Sequence, residues 1–132
     1  MKKQLLLLAM ILLPLVSSAD DSGICGEKLK WTYEEKTGTL TITGNGNMYN
    51  YSSTQPSPWY SYALNIYNLI ISNGVTSIGD FAFEYCRVSC VDIPNSIVII
   101  GKYAFSYCSN LATVNIPNSI TAIERCTFYG CI

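Results

Sequence analysis

Apolar residues in the second half of the chain recur in columns. Three segments align end to end: LIISNGVTSIGDFAFEYC at 69–86, VDIPNSIVIIGKYAFSYC at 91–108 and VNIPNSITAIERCTFYGC at 114–131, with a period of 22 and then 23 residues. The columns are Leu69, Val91, Val114; Ile71, Ile93, Ile116; Val75, Ile97, Ile120; Ile78, Ile100, Ile123; and Phe83, Phe105, Phe128. A fixed period in this range marks a stacked architecture in which each unit buries its apolar side only against its neighbours. The first two columns alternate with polar positions, the signature of a short strand with one buried face. Each copy is thus predicted to give one strand to a parallel sheet. Pro94 and Pro117 end that strand, because proline cannot donate to a ladder. Asn-Ser or Asn-Gly then turns the chain, and the Phe/Tyr-small-Phe segment before the cysteine predicts a single helical turn. The expected fold is a repeat solenoid of short parallel strands and short helical turns.

Upstream, Leu29, Trp31 and Tyr33 alternate on one face, residues 34–38 are polar and end in glycine, and Leu40 and Ile42 resume the alternation. That pattern predicts a β-hairpin, placed to cover the open edge of the first copy. Ser57 before Pro58 marks a helix start with Trp59 packing inward. The expected organisation is a leader at 1–19, a hairpin capping region at 20–66 and about three repeats at 67–132.

The leader is read from Lys2 and Lys3, an apolar run at 5–16 and small residues at 17–19, with cleavage after Ala19. The run is shorter than the ~20 residues a bilayer-spanning helix needs, so no transmembrane segment is expected in the mature chain. Cys25 follows Ile24, which argues against a lipid anchor. The formal charge is −1, and loss of the two leader lysines leaves six basic against nine acidic residues. Nothing in that balance recruits nucleic acid. Ten tyrosines and only 13% charged residues fit a packed chain and argue against disorder.

The chain has no histidine, which removes imidazole-based triads and mixed Cys/His zinc sites. A catalytic carboxylate pair in a stacked fold would show as two acids in one column. The column of Asp80 instead continues with Lys102 and Arg125, that of Asp92 with Asn115, and that of Glu84 with Ser106 and Tyr129. No enzyme activity, cofactor or metal is therefore expected. Gly44-Asn45-Gly46 lacks the third glycine and following helix of a dinucleotide site. Of the six cysteines, Cys86, Cys108 and Cys131 fall in one column and read as buried structural residues. Cys25, Cys90 and Cys126 lie outside it and are the better candidates for disulfides, which export permits. Asn50-Tyr51-Ser52 matches a glycosylation acceptor, and in a glycosylating host it marks a surface loop.

The pattern I-P-N-S-I-x-x-I-G-x-x-A-F-x-x-C, almost intact at 93–108, resembles the BspA-like leucine-rich repeat family of secreted and surface proteins. Cys25-Gly26, the run at 29–32, Gly38-Thr39-Leu40-Thr41-Ile42 and Ser57-Pro58-Trp59-Tyr60 resemble the segment that precedes the repeats in such proteins. The resemblance implies a curved solenoid, export to the cell surface or medium, and protein binding or adhesion, with no catalytic residues to transfer. The third copy departs from the pattern: Glu124 replaces the glycine of Gly79 and Gly101, and Cys126 replaces the aromatic of Phe81 and Tyr103.

The strand positions that alternate with the buried columns define the candidate partner-binding face: Asn68, Ile70, Asp92, Thr113 and Asn115. Its partner would be a protein or surface ligand. The rival reading is a structural element that self-associates through the C-terminal repeat, since exposed strand edges invite pairing. A third reading is a shortened remnant of a longer array without activity of its own.

Overall fold

The computed structural model describes residues 20–132, and the expected leader at 1–19 lies outside the described residues. Strands β1 (Asp20–Gly26), β2 (Leu29–Glu34) and β3 (Thr39–Gly44) form an antiparallel meander. The β2–β3 hairpin has the register expected from its alternation, with Trp31 opposite Ile42 and Tyr33 opposite Leu40. All four are buried. Strand β1 was not read from the sequence, because only Cys25 and Gly26 at its end are buried and the rest carries no alternation.

The hairpin does more than abut the repeats. Strand β3 pairs in parallel with β5 (Asn68–Ile71), and the two-residue β4 (Gly46–Asn47) pairs in parallel with β6 (Val75–Ile78). Residues 39–50 therefore form a coil of their own beneath the first copy. A 3-10 helix, Tyr60–Asn65, returns the chain to β5. It starts after Trp59, later than the Ser57-Pro58 signal suggests, with the Tyr60 amide donating to the Ser57 carbonyl at 3.0 Å.

Each copy carries two strands where the sequence reading had one. Strands β7 (Cys90–Asp92) and β9 (Thr113–Asn115) pair in parallel and stop two residues before Pro94 and Pro117. Past the turn, β8 (Ile99–Ile100) and β10 (Ala122–Ile123) stack on β6 in the order β10-β8-β6-β4. Two residues between two turns are too few to show a period. The single parallel sheet expected from the first columns is also interrupted: β5 ends one sheet, and β7 with β9 forms another.

In place of the expected single helical turn each copy has isolated turns, Ala82 donating to the Gly79 carbonyl and Cys86 to the Phe83 carbonyl at 3.3 Å, with no continuous helix. At 79–86 and 101–108 the chain makes successive turns, with Phe81, Tyr85, Tyr103 and Tyr107 at positive φ (57°, 65°, 57° and 56°). Alternate amides face the next coil: Phe81 donates to Lys102, Phe83 to Ala104 and Tyr85 to Ser106, and the next copy repeats the pattern onto Arg125, Thr127 and Tyr129. A helix would keep these donors within the turn; here they join the coils to one another. A ladder between coils satisfies buried amides.

The core runs up the middle of the stack. Val75, Ile78, Phe83, Ile97, Ile100 and Phe105 are at most 1% exposed. Trp59 lies at the base of the phenylalanine column, its ring 5.6 Å from Phe83 and its indole N–H donating to the Ala82 carbonyl at 2.7 Å. Phe83, Phe105 and Phe128 then follow at 5.4 and 5.8 Å. In the third copy the same columns open to solvent: Ile116 is 43% and Ile123 44% exposed, against 6% and 0% for Ile93 and Ile100.

Candidate binding face

Register places the five candidate residues in two rows. Thr41 lies opposite Ile70 and Asp92 opposite Asn115; Thr39 lies opposite Asn68 and Cys90 opposite Thr113. Asn68, Ile70, Asp92, Thr113 and Asn115 are all exposed, and the residues between them are buried or half-buried. The pleat accounts for this, since neighbours along a strand point to opposite faces. The rows hold together through side chains. The Asn68 amide donates to the Thr39 hydroxyl opposite it at 3.4 Å, and the Asn115 amide donates to an Asp92 carboxylate oxygen.

Two features of this face were not read from the sequence. Cys90 stands in the row between Asn68 and Thr113 and is exposed, which the alternation with Val91 signals once β7 is located. The break between β5 and β7 splits the five residues into two groups, Asn68 and Ile70 on one side, Asp92, Thr113 and Asn115 on the other. At the ends of these strands lies a shallow open cleft between Ser72 and Asn73 on one wall and Asp92 and Asn95 on the other.

The cysteines sort differently from the expectation. All six are free. Cys25 is fully buried in the hairpin core, unlike Cys90 and Cys126, which are exposed. Burial pushes the Cys25 thiol up to about 12 and the Cys108 thiol up to about 12, and holds Cys86 well above the ordinary range. Such thiols are inert packing groups.

Glu84 is the buried acid of the repeats. It is 9% exposed, and the Ser106 hydroxyl donates to it at 3.5 Å. Burial raises its carboxyl, an effect the Ser106 hydrogen bond partly opposes. It has no acidic neighbour in its column, as the sequence indicated. Among the described residues no group of three His, Cys, Asp or Glu side chains is placed to hold a metal ion, and no helix is long and apolar enough to cross a membrane. Asn50 is exposed, and its side-chain oxygen accepts the Asp80 amide at 2.9 Å.

The comparisons with known proteins agree with this geometry. The family model described as BspA type Leucine rich repeat region (6 copies) matches residues 56–132. A solved leucine-rich repeat protein from Eubacterium ventriosum ATCC 27560 is similar over 80% of this chain, with 24% identity and a TM-score of 0.70. This likeness carries the fold alone, and the chain spans 28% of the length of that protein. No curated protein matches the chain.

Proposed function

The chain belongs to the BspA type leucine rich repeat region family, and from that premise we propose that it is an exported, non-enzymatic solenoid that binds another protein at the cell surface. In this reading residues 1–19 direct export, 20–66 cap the array and 67–132 are the repeats. The observation that supports binding is the pair of exposed rows on β5, β7 and β9, where polar groups and one apolar side chain, Ile70, stand on a backbone fixed by the coils beneath. Rigid presentation lowers the ordering cost of binding. Asp92 and Asn115 lie at the centre of the second group and are already oriented by their mutual hydrogen bond.

The test is a surface-protein array probed with the exported chain and with the variant Asp92→Trp/Asn115→Trp. Binding lost in the variant, with an unchanged circular dichroism spectrum, supports the placement. Unchanged binding rejects it. Amino-terminal sequencing of the exported product, starting at Asp20, tests the leader.

A second reading, self-association through the last copy, is favoured by the exposure of Ile116 and Ile123 on columns that are buried one coil earlier. Light scattering over a range of concentrations separates the two. A monomer at every concentration removes the second reading.

A further inference from the structure

The chain holds two Asn-Gly dipeptides, Asn45-Gly46 and Asn73-Gly74, and the later copies carry Asn95-Ser96 and Asn118-Ser119 in place of the second. Asparagine before glycine is a labile unit, because no side chain on the glycine hinders its amide nitrogen from attacking the asparagine side chain. Asn45 and Asn73 are both exposed. Their glycine amides differ. The Gly46 amide donates to the Gly74 carbonyl at 2.9 Å, within the strand that pairs with β6. The Gly74 amide has no acceptor among the described residues, since its turn is closed by the next amide, Val75 donating to Ser72 at 3.3 Å. Ile97 and Ile120 close the equivalent turns on Pro94 and Pro117. Only the first copy has glycine there, and packing demands it. Gly74 has φ 107°, and a side-chain carbon on it would lie 2.5 Å from Asn45 Oδ1 and 2.6 Å from the Gly44 carbonyl oxygen. The close approach of the coil at 39–50 thus fixes a glycine behind Asn73.

We propose that Asn73 is a site of spontaneous deamidation and that the fold shields Asn45 from the same reaction. The Gly74 nitrogen gives up its proton to hydroxide and bonds to Cγ of Asn73. The bond from Cγ to the side-chain nitrogen breaks, ammonia leaves, and a succinimide ring remains. Water opens that ring at either carbonyl. Opening at the main-chain carbonyl gives isoaspartate, whose backbone is one carbon longer; opening at the other gives aspartate. The net change is one water in and one ammonia out. At Asn45 the attack requires Gly46 to abandon its hydrogen bond to Gly74, which adds to the barrier. The position of Asn73 gives the change a consequence. Asn73 and Ser72 form one wall of the cleft whose other wall is Asp92 and Asn95. Either product sets a second carboxylate across from Asp92, at the break between the two groups of the strand face, where like charges repel. Isoaspartate also displaces the Gly74 carbonyl that holds Gly46.

Only the effect on binding rests on the strand-face reading; the lability of Asn73 does not, and its rate is measured without any ligand. The experiment ages the full chain in warm, mildly alkaline buffer, with and without denaturing urea. Samples are digested at intervals, each asparagine peptide is quantified by mass spectrometry, and isoaspartate is counted by enzymatic methylation. In the native chain Asn73 should convert at least tenfold faster than Asn45, Asn95 or Asn118. In urea Asn45 and Asn73 should convert within threefold of one another, because both precede glycine and neither amide is then held. Native conversion of Asn45 that keeps pace with Asn73 would overturn the proposal, as would conversion of Asn73 no faster than that of Asn95. A tenfold gap that persists in urea would overturn it too, since the difference would then lie in the local sequence and not in the bond between Gly46 and Gly74.

Discussion

The Cys108 thiol donates to the Phe83 carbonyl oxygen one coil back, at 3.1 Å, and Cys131 makes the same contact with Phe105 at 3.0 Å. The cysteine column is thus a side-chain ladder parallel to the backbone one. Cys108→Ala removes a buried donor and a packed sulfur together. It should lower stability by about 1–3 kcal/mol, read as a shift in the urea midpoint at constant slope. Cys131→Ala, at a half-buried position, should cost less.

Thiol chemistry should divide along burial. Cys90 and Cys126 react with a maleimide in the native protein, and Cys25, Cys86 and Cys108 react only after denaturation. Mass spectrometry after short labelling counts them. Fast native labelling of Cys108 would contradict the packing described above.

Glu84 makes stability depend on pH. The folded chain holds its proton more tightly than the unfolded chain, because burial disfavours the carboxylate. Its contribution is therefore complete below the ordinary value of 4.5 and is lost as pH rises through the higher folded value. Melts taken from pH 4 upward should show this fall in the wild type and a flatter profile in Glu84→Gln. The variant should be the more stable one at neutral pH.

Gly101 is required by the closeness of the coil below it. A side-chain carbon there would lie 2.6 Å from both the amide and the carboxylate oxygen of Asp80, and Gly79 meets the Tyr49 carbonyl in the same way. Gly101→Ala should destabilise by about 1–3 kcal/mol. It should also disturb the bond from the Lys102 amide to the Asp80 carboxylate, which is 3.0 Å long, as amide exchange at Lys102 would report.

Trp59 joins the return helix to the first repeat. Trp59→Phe keeps the stack on Phe83 but loses the bond to Ala82, for an expected cost of about 1–3 kcal/mol. The loss should appear in the thermal melt together with a redistribution of tryptophan emission toward Trp31.

What could be read from the sequence was what repeats. The columns headed by Val75, Ile78 and Phe83 mark the core because the same side chains return every 22 or 23 residues, and the hairpin at Trp31 and Ile42 shows its own alternation. The segment around Phe81 and Tyr85 predicts a helical turn because compact aromatic segments look alike whether all of their amides bond within the turn or, as here, every second one bonds to the next coil. Register decides between these, and one sequence does not display register. The coil at 39–50 went unseen for a related reason: Leu40 pairs with Leu69 at a separation of 29 residues, outside the period of the later copies. The exposed rows follow directly from alternation, whereas the contacts of Tyr60 with Tyr85 and of Tyr129 with Tyr107 needed coordinates, since Tyr60 and Tyr129 fall out of column with the other two.

That odd separation bears on how the chain avoids tangling. Copies as alike as 91–108 and 114–131 offer near-equal stacking partners, and a coil displaced by one whole step would satisfy most of the same contacts. The coil at 39–50, paired to β5 and β6, and the indole of Trp59, stacked on Phe83, differ from every later copy, so they give the first copy a distinct place to dock. Synthesis delivers this unique foundation before any interchangeable part emerges. Assembly can then proceed in order, each coil seated before its look-alike arrives.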